Sequence, residues 1–121
     1  MAFTYATSPM GADHKAGNVV GAYLQQMLDP LKVEGQVESS RLLQIAMAAF
    51  NSMGQCFMAS VALLTPEGGK AFRKVMNAKL GTQLGPDDFP HAMGVRVLKA
   101  EREFNRKAGF TNQDDRLPRF F

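Results

Sequence analysis

Cys56 is the only cysteine in a chain of 121 residues, and it sits in the stretch FNSMGQCFMAS, residues 50–60. A single thiol makes no internal disulfide and holds no metal by itself. Two readings stay open. Isolated cysteines commonly serve as small buried apolar residues. A thiol just past one helix end and at the start of the next also meets backbone amides, which favour thiolate. That placement suits a metal or cluster ligand whose companions come from elsewhere. This chain does not complete such a set, because it has no second Cys, and His14 and His91 lack a recognisable ligand spacing. His14, in the stretch GADH, is the second candidate. A loop imidazole beside a carboxylate such as Asp13 can move protons near neutral pH, or it can be an ordinary hydrogen-bonded loop residue. His91, after Pro90, reads as a surface residue. No nucleophile–base pair and no phosphate loop is visible.

The elements that must position these residues read as helices. Residues 1–16 show no regular pattern, and Ser8 before Pro9 is biased away from helix. Met1, Phe3 and Tyr5 bring apolar and aromatic groups at once, as in a loop taken from inside something larger. Val20, Tyr23, Leu24 and Met27 predict a helix over 17–30, stopped by Pro30. Residues 31–36 form a link. The clearest helix spans 37–54, with Leu42, Ile45, Ala46, Ala49, Phe50 and Met53 at helical spacing. Glu38 lies near its positive end, and Gly54 stands where a left-handed closing residue belongs. QCFMASVALL fits either a short buried helix or a strand. Thr65, Pro66 and Glu67 signal a helix start, Phe72, Val75, Met76 and Lys79 share its face, and Gly81 ends it. A last helix opens around Asp87 and Asp88, with an irregular first turn at Pro90. It runs to about Lys107 with Met93, Val97, Ala100, Glu101 and Phe104 on one stripe, and Gly109 closes it. The tail, including DDRLP at 114–118, has no period and reads as solvated, and its final aromatics are expected to dock on a core, either here or on a missing partner domain. With no repeats and no strand-rich segment, the expectation is one all-α domain over 1–121. It would be an irregular arrangement of four to five helices with an extended N-terminal loop and a C-terminal tail.

Composition narrows the function classes. Apolar residues make up 45% of the chain, which argues against disorder. No apolar run approaches the roughly 20 residues that span a bilayer, so no membrane partner is expected. No secretory signal pattern is present, and one cysteine suits a reducing compartment, so a cytoplasmic location is expected. Eight methionines and no tryptophan point to an adaptable core. The net charge of +3 is dispersed. Arg96, Lys99, Arg102, Arg106 and Lys107 alternate with Glu101 and Glu103 as the polar face of a helix, so nucleic acid is not an expected partner.

Three segments together resemble one family. YATSPMGADHKAG (5–17), FNSMGQCFMA (50–59) and EREFNRKAGFTNQDDRLPRFF (101–121) are similar, in order and spacing, to the C-terminal part of the aldehyde ferredoxin oxidoreductases. These are tungsten or molybdenum enzymes with a bis-pyranopterin cofactor. The resemblance implies an enzyme that oxidises a small aldehyde to a carboxylic acid, with electrons leaving through a [4Fe–4S] cluster to ferredoxin or a similar carrier. The family motif Asp-x-x-Gly-Leu-Cys ends in a cluster ligand, and here it reads Asn51-Ser52-Met53-Gly54-Gln55-Cys56. By resemblance Cys56 is the fourth cluster ligand. Asp13, Asn51, Gly54 and Gln55 would share the cofactor-facing positions with it, and His14 would assist proton movement. Asn51 replaces the usual Asp and keeps hydrogen bonding without charge, and Gln55 replaces Leu. The family's cysteine triplet and β-rich base lie upstream and have no counterpart here. The chain therefore reads as a C-terminal piece, an excised domain or a split-gene product that works with upstream domains or a partner subunit. Alone it is expected to be inactive, with neither metal nor cluster. The other reading is a non-catalytic helical interaction or regulatory module on the same scaffold.

Overall fold

A computed structural model describes residues 2–120. Met1 and Phe121, both counted among the terminal aromatic and apolar residues above, lie outside the described residues. The helices are α1 (Ala2–Thr7), α2 (Val20–Leu24), α3 (Gln36–Ser52), α4 (Phe57–Ser60), α5 (Pro66–Leu80) and α6 (Met93–Lys107). A 3₁₀ turn, Val61–Leu64, leads into α5, and a π-type turn, Asp88–Ala92, leads into α6. There is no strand among the described residues, so the all-α expectation holds.

The fold is organised around α3. Its residues Gln44, Ile45, Ala46, Met47, Ala48, Ala49 and Phe50 are all buried. A helix apolar on every side is a core helix rather than a surface one. The three alanines keep α3 thin, so neighbours pack close to its backbone. The tightest approach is at Gly94 of α6, where a Cβ would lie 1.9 Å from the Ile45 carbonyl oxygen. α6 accordingly packs along α3 more extensively than any other element. Phe50 and Phe89, both fully buried, meet edge to face with ring centroids 5.4 Å apart. Phe72 of α5 stacks on Phe89 at 5.0 Å, so one aromatic ring joins α3 to α5.

Helix ends follow local chemistry. Thr65 accepts a hydrogen bond from the Gly68 amide, with Pro66 at the first position, and Gly81 closes α5 at φ 65°. α3 and α6 end alike. The Gly54 amide donates to the Asn51 carbonyl and the Gln55 amide to that of Phe50. At α6, the Gly109 amide donates to Arg106 and that of Phe110 to Asn105. With Gly54 at φ 68° and Gly109 at φ 98°, both are Schellman closures.

Several details differ from the sequence reading. The N-terminal segment opens with the short helix α1, held by tertiary contact rather than by any repeat. Thr4 Oγ1 pairs with Ser40 Oγ at 3.0 Å, and Gln44 Nε2 donates to Thr7 Oγ1 at 3.3 Å. The helix expected over 17–30 shrinks to Val20–Leu24, and Gln26 at φ 56° turns the chain away. Of its predicted stripe Tyr23 is half-buried and its hydroxyl donates to Gln36 Oε1, but Leu24 is 80% and Met27 75% exposed. So short a helix is marginal. QCFMASVALL is helical from Phe57 onward, with Cys56 extended before it. Asp87 and Asp88 precede α6 by a full turn, because Phe89 adopts extended angles to reach the core before a cis Phe89–Pro90 bond. Asp88 instead accepts from the Gly85 amide. Phe104, placed on the α6 stripe, is 73% exposed. Phe110 and Phe120 are also exposed, so these tail aromatics do not bury themselves in this core.

The chain exposes 8621 Å² of surface. A folded monomer of 13.3 kDa exposes about 6,500 Å², so this surface is about a third too large. Leu24, Met27, Leu31, Val33 and Val37 contribute to the apolar excess around α2.

Candidate functional site

Cys56 sits in the joint between α3 and α4. The Schellman closure at Gly54 fixes the direction in which the chain leaves α3. Gln55 follows, half-buried, and Cys56 takes extended angles (φ −65°, ψ 134°) at the position that caps α4. Its carbonyl accepts from the Ser60 amide at 2.9 Å. The thiol is exposed, so the reading of Cys56 as a buried apolar residue does not hold. The backbone amides of Ala59, then Met58, hold the thiol below its ordinary pKa. Desolvation opposes them and the Lys15 ammonium adds to them. Thiolate, the ligand form of cysteine, is thereby favoured.

The contribution of Lys15 bears on His14 as well. Lys15 belongs to the loop of residues 8–17, so that loop comes near enough to Cys56 to act on its charge. Within the loop, Asp13 Oδ1 accepts from the Lys15 amide at 2.8 Å in a local turn. Asp13 is half-buried and His14 is exposed. Asn51 is exposed in the last turn of α3 and, through its carbonyl, takes part in the closure at Gly54. Residues Asn51, Gly54, Gln55 and Cys56 of the motif thus lie on one turn ending at Cys56, and the loop bearing Asp13 and His14 reaches it electrostatically through Lys15. His91 lies elsewhere, exposed in the turn before α6.

Among the described residues, no three His, Cys, Asp or Glu side chains converge on a metal-binding point. The donor set fits one ligand to a larger site: an exposed thiol, tuned toward thiolate, at the tip of a rigid turn. Such a thiol is open to reagent. The native chain is expected to release one equivalent of chromophore from a disulfide reagent without denaturant. A thiol that reacts only after unfolding would contradict this geometry.

Other residues near the loop escaped sequence reading. Arg102, taken as part of a polar helix face, forms a two-pronged ion pair with Asp115 and donates to Asn112 Oδ1 at 2.8 Å. Residues 112–115 are therefore strapped to α6 rather than freely solvated. Asn105 Nδ2 donates to the Pro9 carbonyl at 2.6 Å across 96 residues of sequence. No periodicity signals pairings between a helix and irregular segments.

The whole chain, residues 1–121, matches the family described as "Aldehyde ferredoxin oxidoreductase, domains 2 & 3". It is similar to the tungsten-containing aldehyde ferredoxin oxidoreductase of Pyrococcus furiosus, at 30% identity over 122 residues, covering 97% of this chain and 19% of that protein. The corresponding proteins of Thermococcus kodakarensis and Pyrococcus horikoshii are each 29% identical with the same coverage. The chain thus spans 19% of the length of the curated relatives it matches. No solved structure matches it.

Proposed function

From a chain that belongs to the aldehyde ferredoxin oxidoreductase family, we propose that its role is to supply a helical part, including one cluster ligand, to an aldehyde-oxidising enzyme completed by further domains or a partner subunit. The observation that carries this is the placement of Cys56. It is exposed and biased toward thiolate, on the one turn whose motif in the family ends in a ligand.

A tungsten or molybdenum bis-pyranopterin and a [4Fe–4S] cluster, when bound, supply the two-electron oxidation of an aldehyde to a carboxylic acid and the exit path for electrons. Tungsten and ferredoxin are the metal and acceptor named for the relatives, and they are the first choice here. The residues of this chain have simpler tasks. Cys56 Sγ donates its thiolate, and the Schellman turn at Gly54 holds it at a fixed angle. Gln55 and Asn51 line that turn as neutral hydrogen-bonding groups, where a carboxylate at position 51 would bring charge. Gln55 beside the ligand is placed to shift a cluster potential through hydrogen bonding. The His14 imidazole, beside Asp13, accepts or returns a proton. The excess apolar surface is the contact area for the rest of the architecture.

The test is coexpression with the complementary domains of a family member. The two pieces should copurify and reduce a dye acceptor on addition of an aldehyde. The chain alone should bind a hydrophobic dye and lose that binding in the complex. A monodisperse chain that binds no dye and joins no such complex would instead support an independent interaction or regulatory module.

A further inference from the structure

The loop of residues 8–17 is held very differently at its two ends. At its far end, Ser40 Oγ donates to the Gly17 carbonyl at 2.9 Å and pairs with Thr4 Oγ1. A Cβ on Gly17 would lie 2.6–2.9 Å from Thr4, Ser40 and Gln44. That end is locked by packing on α3. At the near end a cavity of about 350 Å³ separates the loop from α6 and the strapped tail, lined in part by Ser8, Pro9, Gly11, Arg102 and Asp115. The buried Ser8 Oγ makes no hydrogen bond. Beyond Ser8, whose amide donates to the Thr4 carbonyl of α1, this end is packed less closely than the Gly17 end, and α6 reaches it through the Asn105–Pro9 hydrogen bond. Between the ends the chain is folded by its own short turns. The Gly11 amide donates to Ser8, that of Lys15 to Asp13 Oδ1, and that of Gly17 to Lys15. A segment folded on itself moves as a unit, so its orientation follows its two tethers.

We propose that Asn105 is a positioning residue for His14. Its amide anchors the Pro9 carbonyl, and this fixes the direction in which the loop presents the imidazole. The buried hydrogen bonds of Ser40 serve as the fixed hinge, and the Arg102–Asp115 pair keeps the tail against α6 beside the cavity. The proposal rests on the proton-moving role assigned to His14 for its functional meaning, but not for its structural content.

The experiment reads His14 directly. His14 and His91 are the only histidines, so their imidazole signals in a ¹H–¹⁵N spectrum of the full chain serve as probe and internal control. In Asn105→Ala the His14 signal should shift while the His91 signal stays in place. Order parameters of the Ala12–Lys15 amides should fall below about 0.6. Asn105→Gln, which keeps the amide donor, should restore part of both. The unaltered chain should also show a nuclear Overhauser contact between the Asn105 side-chain amide and Met10, a reading that needs no variant to fold. An unmoved His14 signal in Asn105→Ala, or absence of that contact in the unaltered chain, would overturn the proposal. Both readouts come from the chain alone, so they stand or fall separately from iron binding and aldehyde oxidation in the completed enzyme.

Discussion

Gly94→Ala should destabilise the chain by about 3 kcal/mol, near the upper end of overpacking costs. The added Cβ would lie 1.9 Å from the Ile45 carbonyl oxygen and 2.9 Å from the Ile45 Cγ2 atom. The first contact is with backbone in the middle of a buried helix, so no side-chain rotation relieves it. α6 must separate from α3, which loosens the contact at Ile45. For a chain of this size the melting temperature should fall by about 10 °C. Gly21→Ala is the matched control. A Cβ there meets nothing within 4 Å, and Gly21 lies in α2. It should be neutral or slightly stabilising, because it mainly reduces the entropy of the unfolded chain. Thermal unfolding of the two variants checks the pair. A Gly94→Ala melting curve superimposable on the unaltered chain would mean that α3 and α6 do not approach as described. The consequence extends to the site, because α6 also carries the Asn105 amide that holds the loop bearing His14.

How much of this was legible in the sequence depended on whether a feature is local. The closures at Gly54, Gly81 and Gly109 and the cap at Thr65 are written in residue types that suit few other backbone conformations, and all four stand as read. The long helices α3, α5 and α6 were readable from apolar spacing. Spacing failed where burial is decided by the rest of the molecule. Val20, Leu24 and Met27 have helical period but nothing to cover them, and the helix frays at Gln26. Phe104 follows the α6 stripe, yet it is exposed. In the opposite direction, Phe89 sits in a segment read as an irregular helix start and proves to be the ring that joins two helices. Of the site, the turn ending at Cys56 was legible as a motif. Its exposure was not, because a single thiol in an apolar stretch fits a buried position equally well. Nor was its electrostatic link to the His14 loop, since Lys15 and Cys56 are distant in sequence and act on each other only through the fold. The pairings of Arg102 and Asn105 join a helix to irregular segments, and such pairs leave no periodic trace.

The second large effect concerns iron. Cys56 is exposed and packs no core, so Cys56→Ala should leave chain stability within about 0.5 kcal/mol of the original, as surface substitutions usually do. If Cys56 is the cluster ligand proposed above, the same change removes one of the four thiolates that a [4Fe–4S] cluster requires. A loss of iron without a loss of fold therefore separates a ligand from a structural residue. The decisive measurement is the iron content and visible spectrum of the complex formed with the complementary domains, compared between the unaltered chain and Cys56→Ala. The expected result is a fall from about four cluster iron atoms to three or fewer, with bleaching of the cluster absorption and an unchanged helical signal. A Cys56→Ala complex with full iron and an unaltered spectrum would contradict the assignment of Cys56 as a ligand.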